Sequence, residues 1–562
     1  MKISFRQQRS ACLIAAGCLA MTSTVASGQF QAHSGPAERV FNAEAYIDYQ
    51  FGIPASGQSV GSLFSAVNNV PEHPAALLPS QEKGVRVAIN PGAIEAIGLV
   101  ADARLTMPCF DGQTFELAFV LEEKLGRDTS IWYGQIAGVP RSDVILVHHK
   151  GYVGAEIRDY ASKRHYQIRP TPDGGQALYE VKQADNAGAW CGGHGAGGAV
   201  PYDPQIAPQG RRNLRGSVSD PINQVDIMTI VTLEARLFYG FEENFVLESA
   251  LAVGDFNLRA DNSISDVNLR LVAADWDLAG SYSEASALGG DLAAMRTGGS
   301  LHSAVQSARE LYRPDVIAMI RQFPDGSIQG LAARPLSLPI PTSTCISTNV
   351  RGGSLSFVGY IFAHEVGHNF GGAHDLATLI DDGGSPFPGQ FPAVTDSPMG
   401  YVITCENGCI AGDEHWHTTM AYGPNSLCGG SVLLPYFSRP NFTFDAPFPC
   451  GTYDIGADPF IFIGSNVGDL LFRTRSSVSD NLLHATLAWT EPALSGFQSE
   501  EGTHLFPYSR ITDAVNTVQG GPDNAVVRAK AGTYEETQAA GGPVVFSNGT
   551  QINAIGGVVV IR

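Results

Sequence analysis

An α/β fold is predicted for the middle of this chain, with a β-rich segment before it and a short β-rich segment after it. Between 222 and 490, apolar strands alternate with segments of helical spacing. Between 29 and 200, and again between 499 and 562, short strands are separated by Gly and Pro. Strands that alternate with helices are typical of a sheet covered by helices, whereas successive short strands are typical of meanders.

The middle unit, 222–490, carries the elements that define the α/β class. Periodicity predicts strands over 226–233, 267–273 and 315–320, and helices over 242–255, 301–312 and 480–489. The helical segments repeat apolar residues every three or four positions, while the strands are continuous or alternating apolar runs. We therefore expect a sheet with helices packed on it.

The first 28 residues have the layout of a signal peptide. A basic start, with Lys2, Arg6 and Arg9, precedes a short apolar run over 11–21 and then small residues, with cleavage expected after Ala26 or Gly28. The apolar run is too short for a permanent membrane span, and no later stretch is long and apolar enough for one. A lipoprotein signal ending at Cys18 is the less favoured alternative. Export to the extracellular space is therefore expected.

Residues 29–215 are predicted to form a β-rich unit followed by a linker. Strands are expected at the following positions: 115–122, 130–136, 143–149, 151–157 and 165–168. A Gly-rich segment over 192–198 and a Pro-containing segment over 201–210 then precede three arginines, Arg211, Arg212 and Arg215. This stretch is predicted to be an accessible linker.

The final segment, 499–562, is predicted to be a small β module. It contains strands at 525–529 and 556–561 and the run Gly532-Thr533-Tyr534 between them. With the three residues before it, over 529–534, this run resembles the opening coil of a right-handed β-helix, but a full β-helix needs several coils. A fragment or packing cap is expected.

Charge and cysteine content restrict the function classes. The 562-residue chain has a formal net charge of −20, which argues against nucleic acid as a partner because phosphates would repel it. Of the nine cysteines, two leave with the signal peptide, and the others are Cys109, Cys191, Cys345, Cys405, Cys409, Cys428 and Cys450. Export makes disulfides possible, but the odd number leaves at least one thiol without an intrachain partner.

The strongest chemical signal is the run His364-Glu365-Val366-Gly367-His368, followed by His374. Histidines four residues apart project from one side of a helix, so His364 and His368 preset two nitrogen ligands for Zn²⁺. Gly371 and Gly372 allow a sharp turn that returns His374 as third ligand. A fourth position left open for water is typical of a catalytic zinc ion, whereas structural zinc sites are closed by four protein ligands. The alternative is a helix with unrelated histidines.

Downstream, Met420 lies within the run Thr418-Thr419-Met420-Ala421-Tyr422. Together with the histidine motif, this run resembles the metzincin metalloproteases. The distance from His374 to Met420 and the segment 434–440 resemble the reprolysin (adamalysin-like) branch of bacterial secreted enzymes. The resemblance implies a twisted mixed sheet over 222–490 with a zinc-binding helix and a Met-turn, in which Met420 lies beneath the zinc ion as a support.

The resemblance also suggests roles for the neighbours of these residues. In the astacin and serralysin branches, a Tyr at the position of Tyr422 approaches the metal; a packed aromatic is the alternative here. Asp375 resembles the family's buried Asp, which supports the turn. His415 and His417 are expected to be surface or packing histidines because the ligand set is already complete.

The function expected from this motif is hydrolysis of peptide bonds in protein or peptide substrates. A catalytic zinc ion lowers the pKa of its water, and Glu365, next to the first ligand, is placed to act as general base. In the resembling family the substrate adds as an extended strand along a sheet edge; the segment 327–338 is the candidate edge, with a surface loop as the alternative. A non-proteolytic adhesion or binding protein and a cell-wall peptide amidase are the alternative functions.

Residues 29–215 resemble the propeptide region of such enzymes. Cys191 precedes Gly192, as in the Cys-Gly of the family's cysteine switch, so its thiolate is the candidate latency group on the zinc ion. A disulfide to Cys109 and a plain free thiol are the alternatives. Arg211, Arg212 and Arg215 would then be processing sites, or else a solvated basic loop.

The family pattern implies a disulfide between Cys345 and Cys428. Cys405, Cys409 and Cys450 cannot be paired from the sequence. The spacing of Cys405 and Cys409 also suits a metal, but a disulfide is favoured in an exported chain.

Overall fold

The computed structural model describes the central parts of the chain and several shorter segments. The described residues are 57–64, 81–100, 103–125, 128–139, 142–160, 162–182, 190–191, 224–263, 265, 267–325, 328–335, 346–350, 358–374, 402–403, 415–421, 431–433, 436–445, 448–450, 470–471, 474–475, 478, 487–490, 511, 514–515, 526–534 and 551–561. The signal-peptide interval and the predicted linker lie outside them.

The first sheet, called here the N-terminal sheet, has nine strands among the described residues. They are β1 Gln58–Ser62, β2 Gln81–Val87, β3 Ala103–Pro108, β4 Thr114–Lys124, β5 Thr129–Ile136, β6 Ser142–His149, β7 Tyr152–Asp159, β8 Arg164–Pro170 and β9 Gln176–Lys182. The strands predicted from alternation in this region are confirmed as β4 to β8.

The N-terminal sheet is a meander from β3 to β9, in which each strand pairs antiparallel with the next. β1 pairs parallel with β3 at one edge, and β2 pairs antiparallel with β9 at the other. A short helix, α1 (Pro91–Ile97), and a 3₁₀ turn at Phe110–Gly112 lie between strands.

Both faces of the N-terminal sheet are buried. Along β5 and β6, Trp132 and Leu146 belong to a core on one face, together with Ile94 of α1. Ile131 and Ile145, the neighbours in sequence, belong to a core on the other face. Successive strand residues point to opposite faces, so a strand with no polar alternation must be covered on both sides.

The second sheet, called here the central sheet, has six strands among the described residues, in the order β10-β14-β15-β13-β11-β12. They are β10 Trp190–Cys191, β11 Gln224–Val231, β12 Asn268–Asp275, β13 Val316–Arg321, β14 Ile328–Ala332 and β15 Ile346–Val350. β14 is antiparallel to β15, whereas the other pairings are parallel. The sheet is therefore mixed, and the strands predicted near 226, 267 and 315 are confirmed.

Five further helices are described with this sheet. They are α2 Leu233–Tyr239, α3 Glu242–Asn262, α4 Leu288–Arg296, α5 Gly299–Tyr312 and α6 Val358–Asn369. The helices predicted over 242–255 and 301–312 are confirmed as α3 and α5, and α3 extends two turns further than predicted. Among the described residues, no helix combines the length and apolar character needed to cross a membrane.

Helix α3 lies between the two sheets. It contacts β5, β6 and β7 of the N-terminal sheet on one side and β12 and helix α6 on the other. Nearly all of its residues are buried, including Glu248, Asp255 and Arg259. Asn257 ties it to the central sheet, since its side chain donates to the Leu269 carbonyl at 3.0 Å and accepts from the Leu269 amide at 2.8 Å. A helix whose residues are buried on all sides must be covered on both sides, and the two sheets provide that cover.

Three smaller sheets complete the described structure. Two of them are built from β16 Val402–Ile403, β17 His415–His417, β18 Ser431–Leu433, β19 Arg439–Asp445 and β20 Phe448–Cys450. The third, called here the C-terminal sheet, consists of β21 Leu487–Thr490, β22 Val526–Tyr534 and β23 Gln551–Ile561, all parallel.

The C-terminal sheet differs from the prediction at its first strand. The helix predicted over 480–489 is wrong at its end, because Leu487–Thr490 is a strand whose residues pair one to one with 526–529 of β22. A short apolar run can be part of a helix or a buried strand, and here the tertiary pairing decides. The C-terminal sheet therefore combines a strand from the predicted middle unit, 222–490, with two strands from the predicted final segment, 499–562.

Gly154 permits the close contact between α3 and the N-terminal sheet. A Cβ at this position would lie 2.1 Å from Leu247 Cδ2 and 2.7 Å from Leu251 Cδ1, both on α3. We expect Gly154→Ala to lower the free energy of unfolding by about 1–3 kcal/mol, because overpacking a buried interface displaces side chains or backbone. Urea denaturation measures the change.

The matched control is Gly92→Ala, at an exposed position of α1 where the nearest atom to the new Cβ is Asn90 Oδ1 at 3.5 Å. We expect it to be neutral or slightly stabilising, since Ala favours helix over Gly. Equal effects in the two variants would show that the sheet and α3 do not need this close approach.

Candidate metal centre

Helix α6 holds two of the three predicted ligands. Its apolar residues, among them Ile361, Phe362 and Val366, are buried in the core shared with α3. His364 and His368 lie one turn apart on the helix and are also buried, at 2% and 0% exposure. The core therefore fixes the rotation of α6 and directs both imidazoles to the same side.

A tight turn ends α6 and brings back the third histidine. The Gly371 amide donates to the His368 carbonyl at 2.8 Å, and the Gly372 amide donates to the Gly367 carbonyl at 2.9 Å. Gly371 has a φ of 100°, which L side chains rarely adopt. His374, which follows this turn, is fully buried beside the other two.

The three imidazoles converge through their Nε2 atoms. Nε2 of His368 lies 3.2 Å from that of His364 and 3.1 Å from that of His374. Nδ1 of His364 lies 2.7 Å from the Thr419 carbonyl, and Nδ1 of His368 lies 2.7 Å from the Gly372 carbonyl. Since a carbonyl only accepts, both Nδ1 atoms carry a proton, and in the neutral form of each ring Nε2 presents a lone pair.

This donor set fits a zinc ion. Unprotonated nitrogens that face each other repel unless a cation lies between them. Two ligands at about 2.0–2.1 Å from a tetrahedral zinc ion are separated by roughly 3.3–3.4 Å, close to the separations observed here. Burial, together with the nearby charge of Arg259, lowers the pKa of His364 to about 4, although the bond to the Thr419 carbonyl opposes the shift. The imidazole is therefore neutral, as a metal ligand must be.

Met420 packs directly under the ligand-bearing helix. A Cβ on Gly367 would lie 2.5 Å from Met420 Sδ, and a Cβ on Gly372 would lie 3.2 Å from Met420 Cε. Met420 is fully buried. Its neighbour Thr419 supplies the carbonyl that orients His364, so the segment around Met420 supports the metal centre from below.

Glu365 lies under strand β14. It is 1% exposed, and a Cβ on Gly330 would lie 2.3 Å from its Oε1 atom. β14 takes up residues 328–332 of the predicted edge segment. The strand can pass this close to the carboxylate because Gly330 has no side chain.

Strand β10 covers the outer side of β14 in the part of the chain that the structure describes. Trp190 pairs with Ile328 and Cys191 pairs with Gly330, in parallel orientation. The backbone of Cys191 therefore lies in register with the residue that stands over Glu365.

Several predicted residues lie outside the described residues. They are Asp375, Tyr422, Cys345, Cys405, Cys409, Cys428, Arg211, Arg212 and Arg215. Of the two histidines expected to pack or lie at the surface, His417 is buried, and burial lowers its pKa to about 3, with Arg259 and His364 as further causes. His415 begins strand β17.

Cys109 is a buried free thiol, and burial raises its pKa to about 12. The structure shows no bond from Cys109 to another cysteine among the described residues, so it gives no support to the alternative of a disulfide between Cys109 and Cys191. Cys109 belongs to the apolar core of the N-terminal sheet.

The sequence did not identify three residues that shape the centre. Gly330 sits beside Glu365, Thr419 orients His364, and Arg259 donates to Thr419 Oγ1 at 3.1 Å. Adjacency to Met420 is a signal that points to Thr419. Arg259 and Gly330 carry no such signal, because each is distant in sequence from the histidine motif.

Comparison with known proteins points to a peptidase. No model of a known protein family matches the chain. The chain is 25% identical over 408 residues to a protein named peptidyl-Asp metalloendopeptidase from Xanthomonas campestris pv. campestris; the match covers 70% of this chain and 87% of the relative. A solved structure titled "Structure of a chaperone-substrate complex" matches with 17% identity and a TM-score of 0.32, over 47% of this chain and 36% of that chain. This second likeness is too low to carry a conclusion.

The contact between Gly367 and Met420 can be tested by Gly367→Ala. The added Cβ would displace Met420, and with it Thr419 and the orientation of His364. We expect the zinc affinity to fall by about 10–100-fold, as for other changes that disturb the partners of metal ligands. Competition with a chromophoric chelator measures this affinity.

Gly289→Ala is the matched control, since this helical glycine of α4 has only Leu331 Cδ2, at 3.9 Å, near its would-be Cβ. Its zinc affinity should equal that of the unmodified protein. If Gly367→Ala also binds zinc normally, Met420 does not support the centre.

Proposed function

We propose that this protein is an exported zinc metalloendopeptidase of the metzincin class and the reprolysin branch, made as a latent precursor. The observation that carries the proposal is the convergence of three buried Nε2 atoms, two of them on the helix that also carries the buried Glu365. The similarity to a metalloendopeptidase supports the peptidase class. The histidine motif and Met420 beneath it support the finer assignment, and the signal-peptide layout of 1–28 supports export.

His364, His368 and His374 would hold the zinc ion. When bound, zinc supplies a Lewis acid that polarises a peptide carbonyl and lowers the pKa of water. The protein keeps His364 neutral by burial and fixes two of the imidazoles through backbone carbonyls. The ligands therefore need little reorganisation when the metal enters.

Glu365 is the proton carrier of the reaction. Its carboxylate is buried between the ligand-bearing helix and Gly330 of β14, next in sequence to His364. From this position its Oε atoms can accept a proton from the attacking water and return it to the leaving amine. The surrounding core excludes bulk water from the carboxylate.

β14 is the proposed binding edge for the peptide substrate. Its inner side pairs with β15, and its outer side offers backbone amides and carbonyls to an added strand. The described chain itself uses this side, since Trp190 and Cys191 pair there. We therefore propose that the segment containing Cys191 occupies the substrate strand's place in the precursor and that its thiol blocks the zinc ion.

The substrates proposed are proteins or peptides in an extended conformation. The relative's name adds a preference at Asp for that protein, and peptides with and without Asp belong in the assay of this one.

The variants Glu365→Gln and His374→Ala distinguish the role of the general base from the role of a zinc ligand. Glu365→Gln should keep zinc but lower kcat by about 10²–10⁴-fold, because it removes the proton acceptor and keeps the shape. His374→Ala should lose zinc and activity together, since two histidines hold zinc weakly. Hydrolysis of casein and of Asp-containing peptides, with zinc per chain measured by elemental analysis, checks both.

Full activity in Glu365→Gln would contradict the proposed base. Absence of any hydrolysis by zinc-loaded, processed protein would instead favour the alternative of a binding protein on the same scaffold. Release of cell-wall peptides without cleavage of protein substrates would favour an amidase.

Latency is tested in the uncut chain with Cys191→Ser. We expect this variant to be active without processing, whereas the unmodified precursor needs cutting or a mercurial thiol reagent, because only a thiolate binds zinc strongly. The control is Cys109→Ser, which removes a buried free thiol of the N-terminal sheet and should leave latency intact. If precursor and Cys191→Ser are equally active uncut, the thiol does not hold the enzyme silent.

A further inference from the structure

Helix α3 presents two buried carboxylates to the N-terminal sheet. Glu248 and Asp255 are 2% and 0% exposed. Both receive their cationic partners from β7 and β8 of that sheet. A carboxylate without a partner is very costly in such a place, so the helix depends on the sheet for charge compensation as well as for packing.

The first of these partners is Arg158 on β7. Its Nη2 donates to Asp255 Oδ1 of α3, and its Nη1 lies 3.6 Å from Asp143 Oδ2 of β6. Tyr160 donates to the same Asp143 oxygen at 2.5 Å. Burial alone would raise the pKa of Asp255, but Arg158 and Arg259 lower it below its ordinary value, so Asp255 is ionised.

From Asp255 the contacts continue to the metal centre. Arg259 Nε donates to Asp255 Oδ2 at 2.7 Å, and Arg259 Nη1 donates to Thr419 Oγ1 at 3.1 Å. The Thr419 carbonyl accepts from Nδ1 of His364 at 2.7 Å. Each member is buried, so one unbroken polar path joins Arg158 of the N-terminal sheet to a proposed zinc ligand.

A second buried pair crosses the same interface, and its contacts among the described residues remain within the N-terminal sheet and α3. Arg169 Nε of β8 lies 2.8 Å from Glu248 Oε2 of α3, and Arg169 Nη2 donates to Glu156 Oε1 of β7. Arg169 also donates to the Ala155 carbonyl at 2.8 Å. This pair resembles the first in burial and charge, which makes it an internal control.

We propose that the N-terminal sheet is a permanent part of the mature protein and that Arg158 is a positioning residue for His364. Separation of the sheet would expose the apolar side of α3 and leave Asp255 and Glu248 without their cations from the sheet. Helix α3, which carries Arg259, would then lose the N-terminal sheet that holds it in position. The proposal rests on the zinc site proposed above but not on peptidase activity.

With the N-terminal sheet retained, activation has to remove only the segment that covers β14. Loss of the segment that contains Trp190 and Cys191 would uncover β14, while β1 to β9 stay in place on α3. Processing then yields two chains that remain together, instead of a discarded propeptide.

Controlled cutting of the full chain tests the permanence of the sheet. A site for a sequence-specific protease is inserted between Gln209 and Gly210 of the predicted linker, and the folded protein is cut there. We expect the two fragments to elute together in size-exclusion chromatography at low and high salt, and to separate only in denaturant. Separation under native conditions, with the larger fragment still folded and binding zinc, would overturn the proposal.

Variants of the two arginines test the positioning role. Arg158→Met should weaken zinc affinity by about 10–100-fold, because it disturbs the partners of a metal ligand. Arg169→Met removes an equally buried cation and should lower thermal stability while leaving the zinc affinity unchanged. Arg158→Lys, which keeps the charge, should recover part of the affinity. Zinc affinity of the metal-free proteins is measured by chelator competition, which needs no activity.

Equal zinc affinities in Arg158→Met and Arg169→Met would overturn the positioning role. If Arg158→Met does not fold, Arg158→Lys and the cutting experiment still decide the question. A protein that shows the expected zinc affinities and co-elution but hydrolyses no peptide would refute the proposed function and leave this inference standing.

Discussion

The candidate metal centre depends on one constraint: three imidazoles must point their Nε2 lone pairs at a single buried position. Burial keeps His364 uncharged, and the carbonyls of Thr419 and Gly372 hold the protons of two rings on Nδ1. Lone pairs held this close repel one another, and a cation turns that repulsion into binding. This arrangement of the three imidazoles is unfavourable without a metal and favourable with one. The surrounding packing must therefore be rigid enough to maintain it.

Helix α3 supplies much of that rigidity. It lies between the N-terminal and central sheets and contacts α6, so one helix couples the metal centre to both. Its buried carboxylates make the coupling specific, because Asp255 is satisfied by an arginine from the sheet and another from its own helix. Breaking such a pair on one side leaves an uncompensated charge, which is far more costly than losing an exposed ion pair. The N-terminal sheet and the proposed active site are therefore joined energetically as well as covalently.

Glycines permit the closest approaches around the site. Gly367 accommodates Met420, and Gly330 allows β14 to pass over Glu365. A methyl group at either position would occupy space already filled by the side chain of Met420 or of Glu365. The sequence motif includes Gly367 but contains no hint of Gly330, because the contact that requires a glycine there joins residues far apart in the chain.

The sequence by itself determined the local features of this protein. The spacing of His364 and His368 placed two donors on one helix face, and apolar periodicity located most strands and two long helices, since both depend only on neighbouring residues. Only the tertiary structure decided that Leu487–Thr490 is a strand, that Cys109 is a buried free thiol, and that Trp190 and Cys191 pair with β14. The same holds for the path from Arg158 to His364. These features arise from contacts between distant segments, whose burial and pairing no local pattern encodes.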